Sequence, residues 1–315
     1  MAVTSDIISI RPLDMENCGL KKGSLAGEVA VVTGGARNIG LGYARAIAWA
    51  GGKVVVADIM DDAGKETERV INEENAPDTA LFVKTDISNA GDVKNLARRA
   101  FDKFGKVDIL INNAMNMRLN GPVLTSPVEE LEQSYAISAR GVMLAIQEFV
   151  PGMVKRKHGT VTYSSTQFHY SPPLVGGAIY TAGKAAATSL IMSLANEVKG
   201  SGVNVFCLAP TGIMSPRLDM PMPPPPKNPD GTPAPRGGFG FDGPVPPEAG
   251  GAAMVYCLLN AEKLNGSGVI LFDVFNAMDF PYPNPETKPG ASQFKRLNDN
   301  ELTMALCYMG AGFDG

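Results

Sequence analysis

Short, unbroken apolar runs recur along the chain, and between them apolar residues return every three or four positions. The runs are Val29 to Thr33, Lys53 to Asp58, Leu81 to Asp86, Val107 to Asn112, Gly159 to Ser164, Val203 to Leu208 and Val269 to Phe272. Continuous apolar runs of this length suit strands of a parallel sheet that is covered on both faces. The helical period runs through Tyr43 to Ala50 and through 92–104, 128–149, 178–199 and 247–260. Strand alternating with helix predicts an α/β fold, a doubly wound sheet of seven parallel strands flanked by helices. Ligands of such a sheet sit at the carboxyl ends of its strands.

Two kinds of segment depart from the alternation. Residues 1–26 precede the first strand and 276–315 follow the last, so they are expected to be extensions of a catalytic domain spanning 27–275. From Pro216 to Pro247 the chain carries 12 of its 24 prolines, including Pro223 to Pro226. Proline fixes φ and removes a donor, which excludes core helix and central strand there. Three readings of 214–247 stand: a lid over a substrate, a disordered proline-rich surface loop, or a partner-binding polyproline segment.

Composition narrows the function classes. A chain of 315 residues with 44% hydrophobic and 19% charged residues and a net charge of −4 is ordinary for a globular protein. Nucleic-acid binding is not expected, since the one basic run, Lys155 to His158, reads as a solvated helix end. Cys18, Cys207, Cys257 and Cys307 show no metal-ligand spacing, so no metal is expected and a reducing, cytoplasmic location is. Met1 to Asn17 lack a signal-peptide pattern, and no apolar stretch has the length of a membrane span.

The chemistry is concentrated in two motifs. Thr33-Gly34-Gly35-Ala36-Arg37-Asn38-Ile39-Gly40 joins the first strand to a helix. A glycine-rich turn there offers backbone N–H groups and a positive helix end to a pyrophosphate. Asp58, ending the second strand, stands near the offset of roughly 20 residues at which an acidic side chain accepts from the adenosine ribose. Its carboxylate repels a 2′-phosphate, which favours NAD over NADP; Arg37 is the counter-signal, because a guanidinium can pair with that phosphate. Asn38 takes the place of a glycine and is suited to positive φ. The second motif is Tyr180-Thr181-Ala182-Gly183-Lys184, which follows Tyr163-Ser164-Ser165. Tyr and Lys four apart share one helix face, so the ammonium, together with a cationic nicotinamide, is expected to lower the phenol's pKa from ~10 and make Tyr180 a general acid/base.

With both motifs, the chain resembles the short-chain dehydrogenase/reductase family over roughly residues 24–275. The resemblance implies a Rossmann-type domain and hydride transfer at a nicotinamide. It implies that Lys184 holds the nicotinamide ribose and that Ser165 bonds the substrate oxygen. It further implies that Asp86-Ile87 borders the adenine and that Asn113 and Ala114 line the cofactor. Met115 replaces the usual glycine and narrows the substrate entrance. Ser138 occupies the place of an asparagine that anchors a relay water. Pro210-Thr211-Gly212-Ile213 stands for the usual Pro-Gly, with the Ile213 amide meeting the carboxamide. Phe168, His169 and Met214 are expected in the substrate pocket, and the helix bearing Tyr180 is expected to pair copies into a dimer or tetramer.

The function expected from these residues is NAD-dependent oxidation of a bulky, mainly apolar secondary alcohol, or reduction of its ketone. Leu218, Met220, Met222, Phe239 and Phe241 supply the apolar inventory. Two alternatives stay open: a redox-neutral epimerase-type enzyme, and a dinucleotide-binding regulator whose active site is a relic.

Overall fold

The computed structural model describes residues 15–116, 119, 121–166, 176–210 and 245–282. Its strands are β1 (Val29–Thr33), β2 (Lys53–Asp58), β3 (Ala80–Lys84), β4 (Ile109–Asn112), β5 (Gly159–Ser164), β6 (Val203–Ala209) and β7 (Gly268–Ile270). They form one seven-stranded sheet in the order β3-β2-β1-β4-β5-β6-β7, with every pairing parallel. The helices are α1 (Asn38–Trp49), α2 (Asp61–Glu74), α3 (Ala90–Phe104), α4 (Val128–Tyr135), α5 (Gly141–Arg156), α6 (Ala178–Glu197), α7 (Pro247–Leu259), α8 (Ala261–Leu264) and α9 (Leu271–Ala277). The expected doubly wound α/β architecture is the observed one.

Period-two alternation divides the strand residues between two cores. Ala30, Val32, Val54 and Val56 point to the face covered by α1 and α7, and Val31, Val55, Leu110 and Tyr163 to the face covered by α3, α5 and α6. Both cores are closed, which is why the central strands read as unbroken apolar runs. Helices α1 and α7 cross closely because Gly42 leaves room for the Pro247 carbonyl; a Cβ there would lie 2.0 Å from that oxygen. Residues flanking the central unit join the first core: Met15, Cys18, Leu20 and Leu25 from the amino-terminal side, Phe280 and Tyr282 from the other. Among the described residues no helix is long and apolar enough to cross a membrane.

Several boundaries move. Helix α2 carries a mostly charged sequence and buries only Gly64, Thr67 and Ile71, too narrow a stripe to stand out in the sequence. The third strand ends at Lys84, because the Asp86 carboxylate turns the chain by accepting from the amide and hydroxyl of Ser88 at 2.9 and 2.7 Å. The seventh stops at Ile270, and Leu271 and Phe272 open α9, where both are buried. The helix expected over 128–149 is broken by a π-helical turn, Ala136–Arg140, and then runs past Pro151 to Arg156. The basic run does end a helix: Lys155 and Arg156 close α5 and Lys157 caps it at φ 55°.

Candidate active site

The order of strands reverses beside β1, whose neighbours are β2 and β4. The crevice at this switch point is where a doubly wound sheet binds its ligand. The glycine-rich turn lies there. Gly34 takes φ +64° and Asn38 φ +52°, the conformation expected of an asparagine in a glycine's place. Gly40 has no room for a side chain, since a Cβ would sit 2.0 Å from the Gly34 carbonyl oxygen and 2.8 Å from Asn113 Nδ2. The turn is stapled to β4: the Thr33 hydroxyl accepts from the amides of Asn113 and Ala114 at 2.9 and 3.1 Å. Asn113 Nδ2 donates to the carbonyls of Thr33 and Gly34, both at 3.1 Å. Asn113 and Ala114 thus hold the shape of the turn.

A dinucleotide fits this cradle. Arg37, the N-cap of α1, is exposed and makes no side-chain capping bond, and the first turn of the helix holds no acidic residue. Its amides and positive end are thereby left to an anion. At the edge of the cradle Asp58, 8% exposed, accepts from the amides of Ala36 and Met60, each at 3.1 Å. Those two bonds lock the carboxylate in place and still leave lone pairs for hydroxyl donors. Ile39 is half-buried on α1, Asp86 is half-buried in the turn after β3, and Ile87 is buried against Gly141.

Tyr180 and Lys184 lie on the first turns of α6, facing the end of β5. Lys184 is 4% exposed; its ammonium donates to the Ser164 carbonyl and stands 4.8 Å from the centre of the Tyr163 ring and 5.9 Å from that of Tyr180. Burial lowers its pKa to about 7. Burial also raises the Tyr180 phenol, against a smaller lowering by its hydrogen bond with Thr166. In the chain itself desolvation outweighs the ammonium, which is drawn down to Ser164; the expected lowering also counts the charge of the nicotinamide.

The hydroxyl bonded to Tyr180 is that of Thr166, the neighbour of Ser165. The Ser165 amide continues the β5 ladder to the Leu208 carbonyl, so its side chain follows that of Tyr163 toward α6. There it pairs with the Thr188 hydroxyl at 2.7 Å, and Thr188 in turn donates to the Lys184 carbonyl at 2.8 Å. Strand alternation was the available signal, since it groups Ser165 with the buried Tyr163. Ser138 lies fully buried in the π-helical turn and donates to Met115 Sδ at 3.3 Å, which joins two residues that depart from the resembled pattern. Pro210 directly follows β6. Ile213, Met214, Phe168 and His169, with the apolar residues 218–241, lie outside the described residues.

The one trio of potential metal ligands among the described residues, Glu28, Asp108 and His158, lies at the opposite ends of the strands. Asp108 is already paired with Lys106 at 2.7 Å and Arg156 at 3.2 Å.

Residues 28–222 match the family model described as short chain dehydrogenase, well over half of the chain. The chain belongs to the short-chain dehydrogenase/reductase family. Among its relatives, "Short chain aldehyde dehydrogenase 1" of Euphorbia lathyris is 31% identical over 62% of this chain and 66% of its own length. An uncharacterized oxidoreductase of Thermotoga maritima is 34% identical over 60% of this chain and 72% of its own. The chain thus spans about two thirds of the length of these curated relatives. Among solved structures, 3-ketoacyl-(acyl-carrier-protein) reductase from Brucella melitensis, complexed with NADH, superposes with a TM-score of 0.67 at 26% identity, covering 78% of this chain and 97% of that one. L-sorbose reductase from Gluconobacter frateurii, complexed with NADPH and L-sorbose, gives 0.59 at 27% identity over 62% of this chain and 73% of that one. Membership makes this chain one of a family of oxidoreductases built on an NAD(P)-binding fold.

Within this family site the buried lysine carries a stability signature. Its folded pKa of about 7 lies below the ordinary lysine value of ~10.4, so the unfolded chain binds more protons between the two. The contribution of Lys184 to stability therefore rises with pH across that window and is least favourable below pH 7. Lys184→Met is expected to melt above the native chain near neutral pH, with the gap closing as the pH approaches ~10. Paired thermal melts over that range check it; a gap independent of pH contradicts it.

Proposed function

We propose that this chain transfers hydride between NAD(H) and a secondary alcohol/ketone pair, with Tyr180 as the group that gives or takes the proton. The observation that carries the reading is the Tyr180 phenol, hydrogen-bonded to Thr166 above the buried Lys184, at the strand ends beside the α1 cradle. The nicotinamide of a bound cofactor supplies or accepts the hydride. The residues of the chain do the rest. A phenol held protonated by burial is a proton donor to a developing alkoxide, the direction of ketone reduction. Thr166, bonded to the same phenol, adds a second hydroxyl where a substrate oxygen bonded to Tyr180 would lie. Lys184 places its charge beneath both.

NAD is the cofactor we infer, from Asp58. A locked, nearly buried carboxylate accepts from ribose hydroxyls and repels a 2′-phosphate, whereas the exposed Arg37 has to recruit that phosphate without help from a fixed partner. The solved relatives include complexes with either cofactor. Asp58→Ala removes the repulsion but also the ribose acceptor. NAD⁺ is expected to lose efficiency by about 10-fold or more in kcat/KM and NADP⁺ to gain, both measured on the same alcohol. A native preference for NADP⁺ overturns the assignment.

We place the functional unit at residues 27–275, with the proline-rich segment 214–247 within it. The substrate class, bulky and mainly apolar, rests on the sequence inventory of that segment. Relatives named tropinone reductase-like 1 and secoisolariciresinol dehydrogenase are consistent with that class. Association into a dimer or tetramer through α5 and α6 follows the resemblance, and α5 leaves Met143 and Val154 exposed. The test is growth of NADH absorbance with a panel of cyclic and aromatic secondary alcohols. Turnover supports the reading. Measurable NADH binding without turnover across the panel, in either direction, favours a dinucleotide-binding regulator.

A further inference from the structure

Beneath the Tyr180–Lys184 pair lies a second phenol for which the proposed chemistry has no use. Tyr163, on β5, is 1% exposed, and its hydroxyl has no well-formed hydrogen bond. Ser138 is the hydroxyl within reach of it; its own proton is directed to Met115, so Tyr163 can at most donate to it. A buried hydroxyl so poorly bonded is costly, and an aliphatic or phenyl side chain would avoid the cost. What the position does provide is an aromatic face: the Lys184 ammonium stands over the ring, 4.8 Å from its centre, closer than to the Tyr180 ring at 5.9 Å.

The surroundings of that ammonium show why a ring matters. Among the described residues no carboxylate acts on it; from β6 the Cys207 thiol faces it, from α6 Tyr180, and from β5 Tyr163 and the Ser164 carbonyl. Cys207 is itself held protonated by burial, with its pKa pushed up to about 12, so it brings no charge at neutral pH. Thr188 and Ser165 are spent on one another. The ammonium thus has one carbonyl and the negative faces of rings to replace its hydration, and desolvation pulls it toward the neutral amine.

We propose that Tyr163 is a positioning residue of this site: its ring face holds the Lys184 ammonium in its charged form under Tyr180. The inference rests on Tyr180 and Lys184 being the proton-handling pair. It assigns the ring, not the hydroxyl, as the working part of Tyr163. A neighbouring charged lysine needs the ring's quadrupole, and Tyr163→Phe retains it whereas Tyr163→Leu does not.

The test is direct titration of Lys184 in the full-length chain, by NMR of ε-¹³C lysine with the Lys184→Met variant identifying the resonance. Tyr163→Leu is expected to move the Lys184 titration to lower pH by about 0.5–1.5 units, the worth of a desolvated cation–π contact. Tyr163→Phe is expected to leave it where it is in the native chain. Should the Leu variant fail to fold, a series of increasingly fluorinated phenylalanines at position 163 keeps the shape while draining the ring's negative face, and the titration is expected to fall step by step. An unmoved titration in Tyr163→Leu or along the fluorinated series overturns the proposal, as does a shift in Tyr163→Phe equal to that in Tyr163→Leu. The pH profile of turnover separates this from the function itself: its Lys184-dependent limb is expected to move with the NMR titration. If the titration moves as expected and the native chain turns over no alcohol, the role of the ring stands and the dehydrogenase reading falls.

Discussion

Tyr180→Phe is expected to reduce kcat by about 10²–10⁴-fold, the range a positioned general acid/base contributes, while NADH binding changes little. The split follows from where the phenol sits. Its hydroxyl bonds Thr166, whereas the Gly34–Gly40 turn is held by Asn113, so losing the hydroxyl removes a proton donor and leaves the turn's own bonds in place. The fold is expected to tolerate the change, because the phenyl ring fills the same space on α6. Thr166→Val is expected to weaken turnover in the same sense by about 10-fold or more, and Ser165→Ala much less, since Ser165 is paired with Thr188. Steady-state kinetics on one alcohol, beside NADH fluorescence titration, checks all three. Equal losses in Ser165→Ala and Thr166→Val would return the substrate hydroxyl to Ser165, and an active Tyr180→Phe would remove the proposed mechanism.

Gly40→Ala acts on the other half of the site, and its expected effect is of similar size. The added Cβ would lie 2.0 Å from the Gly34 carbonyl oxygen and 2.8 Å from the Gly34 carbonyl carbon. Both are backbone atoms of the turn proposed to face the pyrophosphate, and neither can swing aside as a flexible side chain can. The turn has to open, which also strains the Asn113 bonds to Thr33 and Gly34. Overpacking of this kind costs about 1–3 kcal/mol or more. NADH affinity is expected to fall by about 10²-fold, read by fluorescence titration, with a melting temperature lower by several degrees. A Gly40→Ala chain that binds NADH like the native one would show that the dinucleotide does not use this turn.

Much of this molecule was legible in one dimension. The apolar runs that became β1, β2, β4, β5 and β6 stand out because both faces of each strand are covered, so no polar alternation interrupts them. The glycine-rich turn and Asn38 announced their backbone conformation, because positive φ restricts which residues can serve. Helix α2 was hidden by its charges, and the π-helical turn that buries Ser138 carries no periodicity of its own. The break in the long helix lies where the chain packs against α6.

The site divides along the same line. The residue types of a dinucleotide cradle and of a Tyr–Lys pair, and their places after β1 and before α6, were determined by sequence alone, since spacing along a strand or a helix fixes which face a residue takes. Which hydroxyl meets Tyr180 was not. Ser164, Ser165 and Thr166 are consecutive, and only the continuation of the β5 ladder to Leu208 sends Ser165 to Thr188 and leaves Thr166 for the phenol. The state of Lys184 is likewise a tertiary property. Four residues of helix bring it under Tyr180, but β5 and β6 decide how much water it loses, and that loss, not its neighbour in sequence, sets its pKa near 7.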